Sequence, residues 1–320
     1  MSQPVPAPGG SPFTGRVIFA FAVLYISWST TYVAIKIGVR HFPPLLFGGT
    51  RIALAGLILL AILHWRGHRL GVSWRQLRNL VITGGLFFLP GNGLLIVAEQ
   101  TVDSGLTAAL ISPTPLLLAL IESLLPRGDR LTPRGWGGLI LGLIGAIALA
   151  APGMSSWEQI HRDPGVLLLL GSSLSWAVGS SVARHADMPR SPFLSAGYQM
   201  LLGGLGASLA GCLFGEVGQL HFTAEVWPGV WAYLYLLVVG SLLGFVAYIY
   251  LLANVSAALA STYSYVNPAL ALVFGALLLD EIITGTMIGA MVLILVGVAL
   301  VKMGGVQPKI VEKSDDEAAE

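Results

Sequence analysis

Charged side chains are scarce in this sequence of 320 residues, where Asp, Glu, Lys and Arg together make up 10%. An average soluble protein has about 25%. Hydrophobic residues reach 55% and the mean hydropathy is +0.79, so the surface of the folded chain must face lipid rather than water. The net charge is only +1 and the basic residues are scattered between apolar runs, a distribution that excludes a nucleic-acid partner.

Cysteine is nearly absent as well. The sole cysteine is Cys212, so no disulfide can form within the chain and no zinc-ligand spacing is met. Walker motifs, HExxH and GxGD are missing, and all six histidines lie in loops or at the edges of apolar runs. A serine nucleophile in Gly171-Ser172-Ser173 therefore has no base within reach. These absences predict a protein that is not an enzyme, holds no metal or cofactor and does not use ATP directly.

What the sequence has instead is long apolar runs. Crossing a bilayer takes about 20 apolar residues, and helix is the default because each span must satisfy its own backbone there. The sequence contains ten such runs, at roughly 17–38, 44–63, 78–98, 104–125, 134–151, 165–184, 192–214, 228–251, 257–279 and 285–303. Residues 1–15, rich in Pro, Gly and Ser, and the acidic residues 304–320 are predicted to be disordered tails.

Lys and Arg are distributed unevenly between the connections of these runs. If the N-terminus is cytoplasmic, thirteen of them fall on the cytoplasmic side and three, Lys36, Arg40 and Arg162, on the opposite side. Positive charge collects on the cytoplasmic side of membrane proteins, so we predict that both termini are cytoplasmic.

The second half of the sequence repeats the first. Ser27-Trp28 returns 148 residues later as Ser175-Trp176, and Pro115 returns 153 residues later as Pro268. Other matched pairs are Lys36 with Arg184, Arg51 with Gln199, Gly56 with Gly204, Gly91 with Gly244, and Gly145 with Gly297. Each half holds five runs, an odd number, so the halves must cross the membrane in opposite senses. We predict an all-α integral membrane protein of ten transmembrane helices, built as two inverted five-helix repeats at residues 16–152 and 153–303.

This pattern resembles a known family, the drug/metabolite transporter superfamily, and within it the ten-span EamA type. The residues that carry the resemblance are Ser27-Trp28, Lys36, Arg51, the blocks ending at Pro115 and Pro268, and Leu279-Asp280-Glu281 followed by Thr284 and Gly289. The first half departs from the pattern at Pro126-Arg127-Gly128-Asp129. The resemblance implies a multi-pass transporter of the bacterial inner membrane, most similar to the bacterial aromatic amino-acid exporters.

Aromatic residues at mid-span are the first candidates for a binding site. Trp28 and Trp176 fall near the middle of their runs, whereas membrane tryptophans usually occupy the interfacial belts. Trp28 also shares a helix face with Tyr25 and Tyr32, which lie three and four residues away. The residues predicted to border a cavity are Trp28, Tyr32, Trp176, Tyr248 and Tyr263. The alternative is that this aromatic stripe only packs against neighbouring helices.

Proline breaks within the runs mark a second group of candidates. Pro268 removes a backbone donor and frees the carbonyl of Ser264, close to Asn267. Interrupted helices indicate a transporter site and also supply hinges, although a locally stabilised kink is the alternative. The predicted hinge residues are Pro90, Gly91, Pro113, Pro115 and Pro268. The predicted substrate contacts of this group are Asn92, Thr114, Ser264 and Asn267.

Arg51 lies inside a run, where a charge is costly to bury. We predict that it binds a substrate carboxylate, with its repeat partner Gln199 also at the site. A helix cap and an ion pair with Glu99 are the alternatives.

The remaining charges lie near the ends of runs. Lys36 and Arg184 are predicted to snorkel to lipid headgroups, and Glu122 is predicted to reach water. No carboxylate lies in the central third of any run, so facilitated diffusion or exchange is predicted rather than proton-driven transport.

A cavity with aromatic walls and few polar atoms suits a small ligand with a bulky apolar side chain. We predict a secondary transporter that exports neutral aromatic or large apolar amino acids by alternating access. Its partners would be the small-molecule substrate and membrane lipid, and the chain would be a monomer or weak homo-oligomer. The alternatives are a carrier for another metabolite or drug, such as a nucleotide sugar or a lipophilic compound, and a scramblase.

Overall fold

The computed structural model describes residues 14–125, 130–150, 164–220, 224–254, 263–303 and 306–307. Within these residues ten helical segments coincide with the ten predicted runs. They are α1 (Gly15–Val39), α2 (Pro44–Trp65), α3 (Trp74–Ala98), α4 (Ser104–Leu124), α5 (Pro133–Ala150), α6 (Pro164–His185), α7 (Pro192–Leu213), α8 (Trp227–Tyr235, Leu236–Phe245 and Val246–Asn254 in succession), α9 (Tyr263–Leu279) and α10 (Gly285–Met303). The prediction of an all-α membrane protein is confirmed.

Six of these helices are long and apolar enough to cross a membrane, namely α1, α2, α3, α4, α6 and the first 22 residues of α8. Their outward surfaces are apolar: Phe19 of α1 is 71% exposed and Leu57 of α2 is 53% exposed. The described β-structure is one short antiparallel pair, β1 (Arg130–Leu131) with β2 (Val306–Gln307).

The two repeats run in opposite directions. Near the end of α1, the Lys36 ammonium donates to the carbonyl of Val102, in the connection between α3 and α4. Its repeat partner Arg184, near the end of α6, lies 3.7 Å from Glu122 at the other end of α4. Equivalent residues therefore occupy opposite ends of the bundle. We call these the Glu281 end (residues 40–43, 99–103 and 280–284) and the Glu122 end (residues 66–73, 122–125 and 186–191).

Repeat-related helices pack in pairs through glycine. The helix α2 contacts α7 so closely that a Cβ on Gly49 would lie 2.5 Å from the backbone nitrogen of Ser208. Likewise α5 contacts α10, where a Cβ on Gly297 would lie 2.5 Å from the backbone nitrogen of Gly142. Small residues at these positions let the backbones approach, which drives association between helices in lipid.

The other helices exchange partners between the repeats. From the first repeat, α1 packs against α8 and α9 of the second, while α6 of the second packs against α3 and α4 of the first. This exchange places the middle of α1 and the middle of α6 on either side of the centre of the bundle.

Candidate functional site

A cavity with an empty volume of about 1060 Å³ lies at this centre. Eleven of the predicted site residues line it, namely Trp28, Tyr32, Arg51, Gly91, Asn92, Thr114, Pro115, Trp176, Tyr263, Asn267 and Pro268. Most other lining residues are apolar, including Ile35, Leu95 and Met200. A cavity lined mostly by apolar side chains with a few polar ones is typical of a small-molecule site.

Two distorted helices form opposite parts of the cavity wall. The segments Phe87–Asn92 of α3 and Leu236–Phe245 of α8 are π-helical, and they occupy equivalent places in the two repeats. Pro90 explains the first distortion, because it lacks the N–H that would bond to the carbonyl of Leu86. The α8 segment has no proline, but Gly240 and Gly244 reduce the resistance of its backbone to widening. Such π segments are frequent at functional sites.

Side chains from the other repeat satisfy the carbonyl groups near these distortions. Ser175 of α6 donates to the carbonyl of Leu86 at 2.8 Å, and Ser172 donates to that of Gly91. On the other side, the Trp28 indole of α1 donates to the carbonyl of Gly240 at 3.3 Å. Each widened helix is therefore held by the first helix of the opposite repeat.

The two central tryptophans anchor two aromatic groups. Trp28 lies 5.1 Å from Tyr248 and 5.0 Å from Tyr263, measured between ring centroids. Trp176 lies 4.9 Å from Phe87 and 6.4 Å from Phe88. A Cβ on Gly244 would come within 2.6 Å of the Trp28 indole nitrogen, so the glycine there makes room for the ring.

The aromatic groups meet across the cavity. Phe88 lies 5.7 Å from Phe245, and Phe245 lies 6.2 Å from Tyr248. Ring pairs at such distances gain about 0.5–1.5 kcal/mol beyond their buried area. A planar apolar group placed among them would find aromatic contacts from both repeats.

Proline also shapes the two remaining walls. In α4 the helix breaks at Ser112 and Pro113, and the hydroxyl of Thr114 donates to the carbonyl of Ile111 at 2.6 Å. In α9 the helix continues through Pro268, and Asn267 beside it is within 3.3 Å of the Ser29 hydroxyl of α1. Both Pro115 and Pro268 face the cavity, as their repeat relationship predicts.

Arg51 reaches the cavity from α2. It is only 4% exposed, and its Nη1 donates to the Ser241 hydroxyl at 2.9 Å and to the Leu236 carbonyl at 3.4 Å. These are contacts with the π segment of α8, whereas Glu99 makes no hydrogen bond through either carboxylate oxygen. The alternative of an ion pair between Arg51 and Glu99 is therefore wrong.

Five predicted site residues are not among those that line the cavity. Gln199 is buried and donates to the Thr83 hydroxyl at 2.9 Å, which ties α7 to α3. Tyr248 packs behind Trp28, and Pro90 and Pro113 belong to the distorted segments of α3 and α4. Ser264 lies in the first turn of α9, and its side chain is outside the described part of the chain.

Two predictions about terminal charges are wrong. Lys36 does not snorkel: it is 7% exposed, because the connection after α3 folds over it and places the Val102 carbonyl 2.7 Å from its ammonium. Glu122 does not reach water, since its side chain is 3% exposed. Its carboxylate accepts from the Ser181 hydroxyl at 2.6 Å and lies 3.1 Å from the Nε2 of His185.

Several lining residues were not predicted from the sequence. They are polar residues of α1, α4, α6 and α8 and two phenylalanines, namely Thr31, Ser112, Ser172, Ser173, Ser241, Phe88 and Phe245. The signal for Phe88 was its position two residues before Pro90, and Ser172 and Ser173 lie one turn from Trp176. No local signal distinguishes Ser241 or Phe245, because α8 widens without a proline.

The sequence and fold are similar to those of known proteins. A model described as the EamA-like transporter family matches residues 15–151 and 163–303. "Uncharacterized inner membrane transporter YedA" of Escherichia coli (strain K12) is 36% identical over 287 residues, which cover 89% of this chain and 90% of the relative. "Uncharacterized transporter YoaV" of Bacillus subtilis (strain 168) is 27% identical over 287 residues, covering 88% and 95%.

A protein of known crystal structure has the same fold. It superposes with a TM-score of 0.62 over 90% of this chain and 96% of its own length, at 23% identity.

Proposed function

This chain belongs to the EamA-like transporter family and lies in the bacterial inner membrane, and on that premise we propose that it exports neutral amino acids with aromatic or large apolar side chains. The observation that carries the proposal is the aromatic wall of the central cavity. Trp28 pairs with Tyr263 and Trp176 with Phe88, each pair joining one residue from either repeat, and Phe245 packs against Phe88. An apolar ring fits between such surfaces.

The charges of the cavity favour an amino acid over the alternative cargoes. Among the described residues that line it, Arg51 is the one basic side chain and no Asp or Glu is present. A nucleotide sugar carries a diphosphate, which would call for several cations. A cationic drug would call for a carboxylate, because a buried cation needs a partner.

The proposed mechanism is alternating access by rocking of the two repeats. The two π segments and the break at Pro113 are places where a helix can bend. In α9, Pro268 lies inside a continuous helix but removes one backbone hydrogen bond, which also makes bending easier. Because the described lining holds no carboxylate, transport proceeds by facilitated diffusion or exchange.

The test is competition in proteoliposomes loaded with the purified protein. Uptake of labelled phenylalanine is challenged with unlabelled phenylalanine, alanine and a nucleotide sugar. We expect phenylalanine to compete at a concentration roughly tenfold below that of alanine, since burying an aromatic ring gains more than burying a methyl group. Saturable uptake distinguishes a transporter from a scramblase, which moves lipid instead.

Trp176→Ala should reduce this preference for phenylalanine by about tenfold, because it removes one aromatic wall. Trp65→Ala is the matched control: Trp65 is 88% exposed at the end of α2, and its loss should leave the ranking unchanged. Equal competition by alanine and phenylalanine, or an unchanged ranking in Trp176→Ala, would show the proposal to be wrong.

A further inference from the structure

Three residues that line the cavity each carry a buried polar atom with no partner within the protein. These atoms are the Nε of Arg51, the Oδ1 of Asn92 and the hydroxyl of Ser173. They come from α2, α3 and α6, and the neighbouring lining residue Ser172 of α6 is bonded to the Gly91 carbonyl. An unsatisfied buried polar group destabilises a fold, so polar groups left unpaired around one cavity indicate what a ligand must supply.

Arg51 supplies a fixed positive charge to this set. The bonds from its Nη1 to Ser241 and Leu236 hold the guanidinium against α8, which also fixes the direction of the unpaired Nε–H. The residue is 4% exposed and no Asp or Glu is among the described lining residues. A guanidinium in this setting is complementary to a carboxylate.

Asn92 and Ser173 add hydrogen-bond acceptors to the lining of the same cavity. The Oδ1 of Asn92 lies 3.8 Å from the place a Cβ on Gly48 would take, and Gly48 is one turn before Arg51 on α2. The amide oxygen of Asn92 therefore lies against α2, the helix that carries Arg51. Ser173 is 2% exposed, and its hydroxyl can either accept or donate.

We propose that Arg51, Asn92 and Ser173 form a subsite for the head group of the substrate, with a carboxylate on Arg51 and an ammonium on the oxygens of Asn92 and Ser173. The substrate class is then the free α-amino acid rather than any aromatic molecule, an inference that rests on the proposed function. The aromatic wall selects the side chain, and this subsite selects the zwitterion. A carboxylic acid without the amine leaves Asn92 unpaired, and an amine without the acid leaves Arg51 uncompensated.

The experiment measures thermal stabilisation of the purified protein in detergent by three probes of equal ring size. The probes are phenylalanine, 3-phenylpropanoate and 2-phenylethylamine. We expect phenylalanine to raise the midpoint temperature most, 3-phenylpropanoate less, and 2-phenylethylamine not at all. Equal shifts with all three, or no shift with any, overturn the subsite.

Arg51→Gln is the variant that tests the carboxylate contact. Glutamine is the residue at the repeat-equivalent position 199, where it is buried in α7, so the variant is compatible with the packing of such a helix. We expect at least about a tenfold loss of apparent affinity for both acid-bearing probes, since a hydrogen bond to a charged group is removed. Arg40→Gln, at an exposed position after α1, is the matched control and should respond like the wild type.

Asn92→Leu tests the ammonium contact separately. The variant should lower the apparent affinity for phenylalanine by about fivefold and leave that for 3-phenylpropanoate unchanged, because 3-phenylpropanoate has no amine to bind. A retained probe response in Arg51→Gln would overturn the subsite even if Trp176→Ala lost its preference for phenylalanine. If the wild type instead binds the acid-bearing probes through Arg51 but does not transport phenylalanine, the proposed function fails and the carboxylate subsite stands.

Discussion

Both ends of the bundle hold a carboxylate that links the repeats, Glu122 buried and Glu281 partly buried, yet the partners of the two carboxylates differ. At the Glu122 end, the carboxylate on α4 contacts side chains of α6, with Ser181 at 2.6 Å and His185 at 3.1 Å. At the Glu281 end, the carboxylate after α9 accepts from the start of α4, with the backbone nitrogens of Ser104 at 2.7 Å and Gly105 at 2.9 Å.

These two carboxylates share a place in the repeat but not a position in the sequence. The residue equivalent to Glu122 in the second repeat is Gly275. Asp280 adopts a positive φ of 57°, which turns the chain back so that the backbone nitrogen of Glu281 donates to the Gly275 carbonyl at 3.3 Å. The Glu281 carboxylate then lies against Gly275, where the side chain of a glutamate would begin. The two repeats therefore place a carboxylate at equivalent positions in space, although the residues that supply it are not equivalent in sequence.

The difference in partners indicates a difference in strength. A helix start has backbone N–H groups without partners, and Glu281 satisfies two of them in α4 and Glu216 two more in α2. Separation at this end would leave those groups unpaired. At the Glu122 end the partner side chains of Arg184 and His185 are 46% and 41% exposed, so water can replace the carboxylate. The Glu281 end is therefore the more firmly held.

The largest expected effect is on thiol labelling, which should be all-or-none because the two ends of the bundle lie on opposite sides of the membrane. Thr101→Cys and Gly71→Cys place single thiols at exposed positions of the Glu281 and Glu122 ends, in a Cys212→Ala background. An impermeant thiol reagent applied to intact cells should label the cysteine at 101 and not the one at 71, because the positive charges place the Glu122 end in the cytoplasm. Labelling of both positions would contradict the two-sided arrangement.

The next largest effect should be the loss of stability when either carboxylate is removed, and this loss should differ between the two ends. Glu281→Ala leaves the Ser104 hydroxyl and two backbone N–H groups of α4 unpaired, so we expect a loss of about 2–3 kcal/mol in the free energy of unfolding. Glu122→Ala should cost less, about 1 kcal/mol, since Arg184 and His185 are half exposed and can be hydrated, and only the Ser181 hydroxyl is left unpaired in the interior. Thermal unfolding in detergent measures both.

Glu225→Ala is the control for this pair, since Glu225 is exposed in the connection before α8. Its midpoint temperature should match that of the wild type. A larger loss in Glu122→Ala than in Glu281→Ala would reverse the comparison of the two ends.

The smallest expected effect is a dependence on pH that belongs to the Glu281 end. Glu99 directly follows α3, and burial raises the pKa of its carboxyl above the ordinary value, an effect that Lys36 opposes and Glu281 increases. Between the ordinary pKa and the raised one, the folded state binds more protons than the unfolded state, so stability falls as pH rises. Glu99→Gln should flatten this fall in the midpoint temperature. If the midpoint temperatures of the wild type and of Glu99→Gln fall in parallel as pH rises, this prediction is wrong.

The sequence predicted the wall of the cavity where a local feature marks it. Pro115 and Pro268, which lack a backbone donor, and Trp28 and Trp176, which lie at mid-span, were all predicted at the site and line the cavity. Pro90 was predicted as a hinge and lies in the π segment of α3. The widening of α8 had no such mark, so Ser241 and Phe245 were missed. The burial of Lys36 was missed for a different reason: it depends on a carbonyl 66 residues away in the chain.

By itself the sequence determined that the chain lies in lipid, where its helices are and that its two halves are an inverted duplication. These properties follow from the length of hydrophobic runs and from repeated spacing, both of which can be read along the chain without knowing which helices pack together. Only the tertiary structure decided which groups meet. Ser172 and Gly91 are 81 residues apart and Glu281 and Ser104 are 177 apart. The φ of Asp280 and the closeness of α4 to α9 bring the second pair together, and neither property is encoded in the composition or period of a single run. Contacts of this kind depend on the packing of all ten helical segments in the described residues, and so does the proposed head-group subsite, whose three residues come from three different helices.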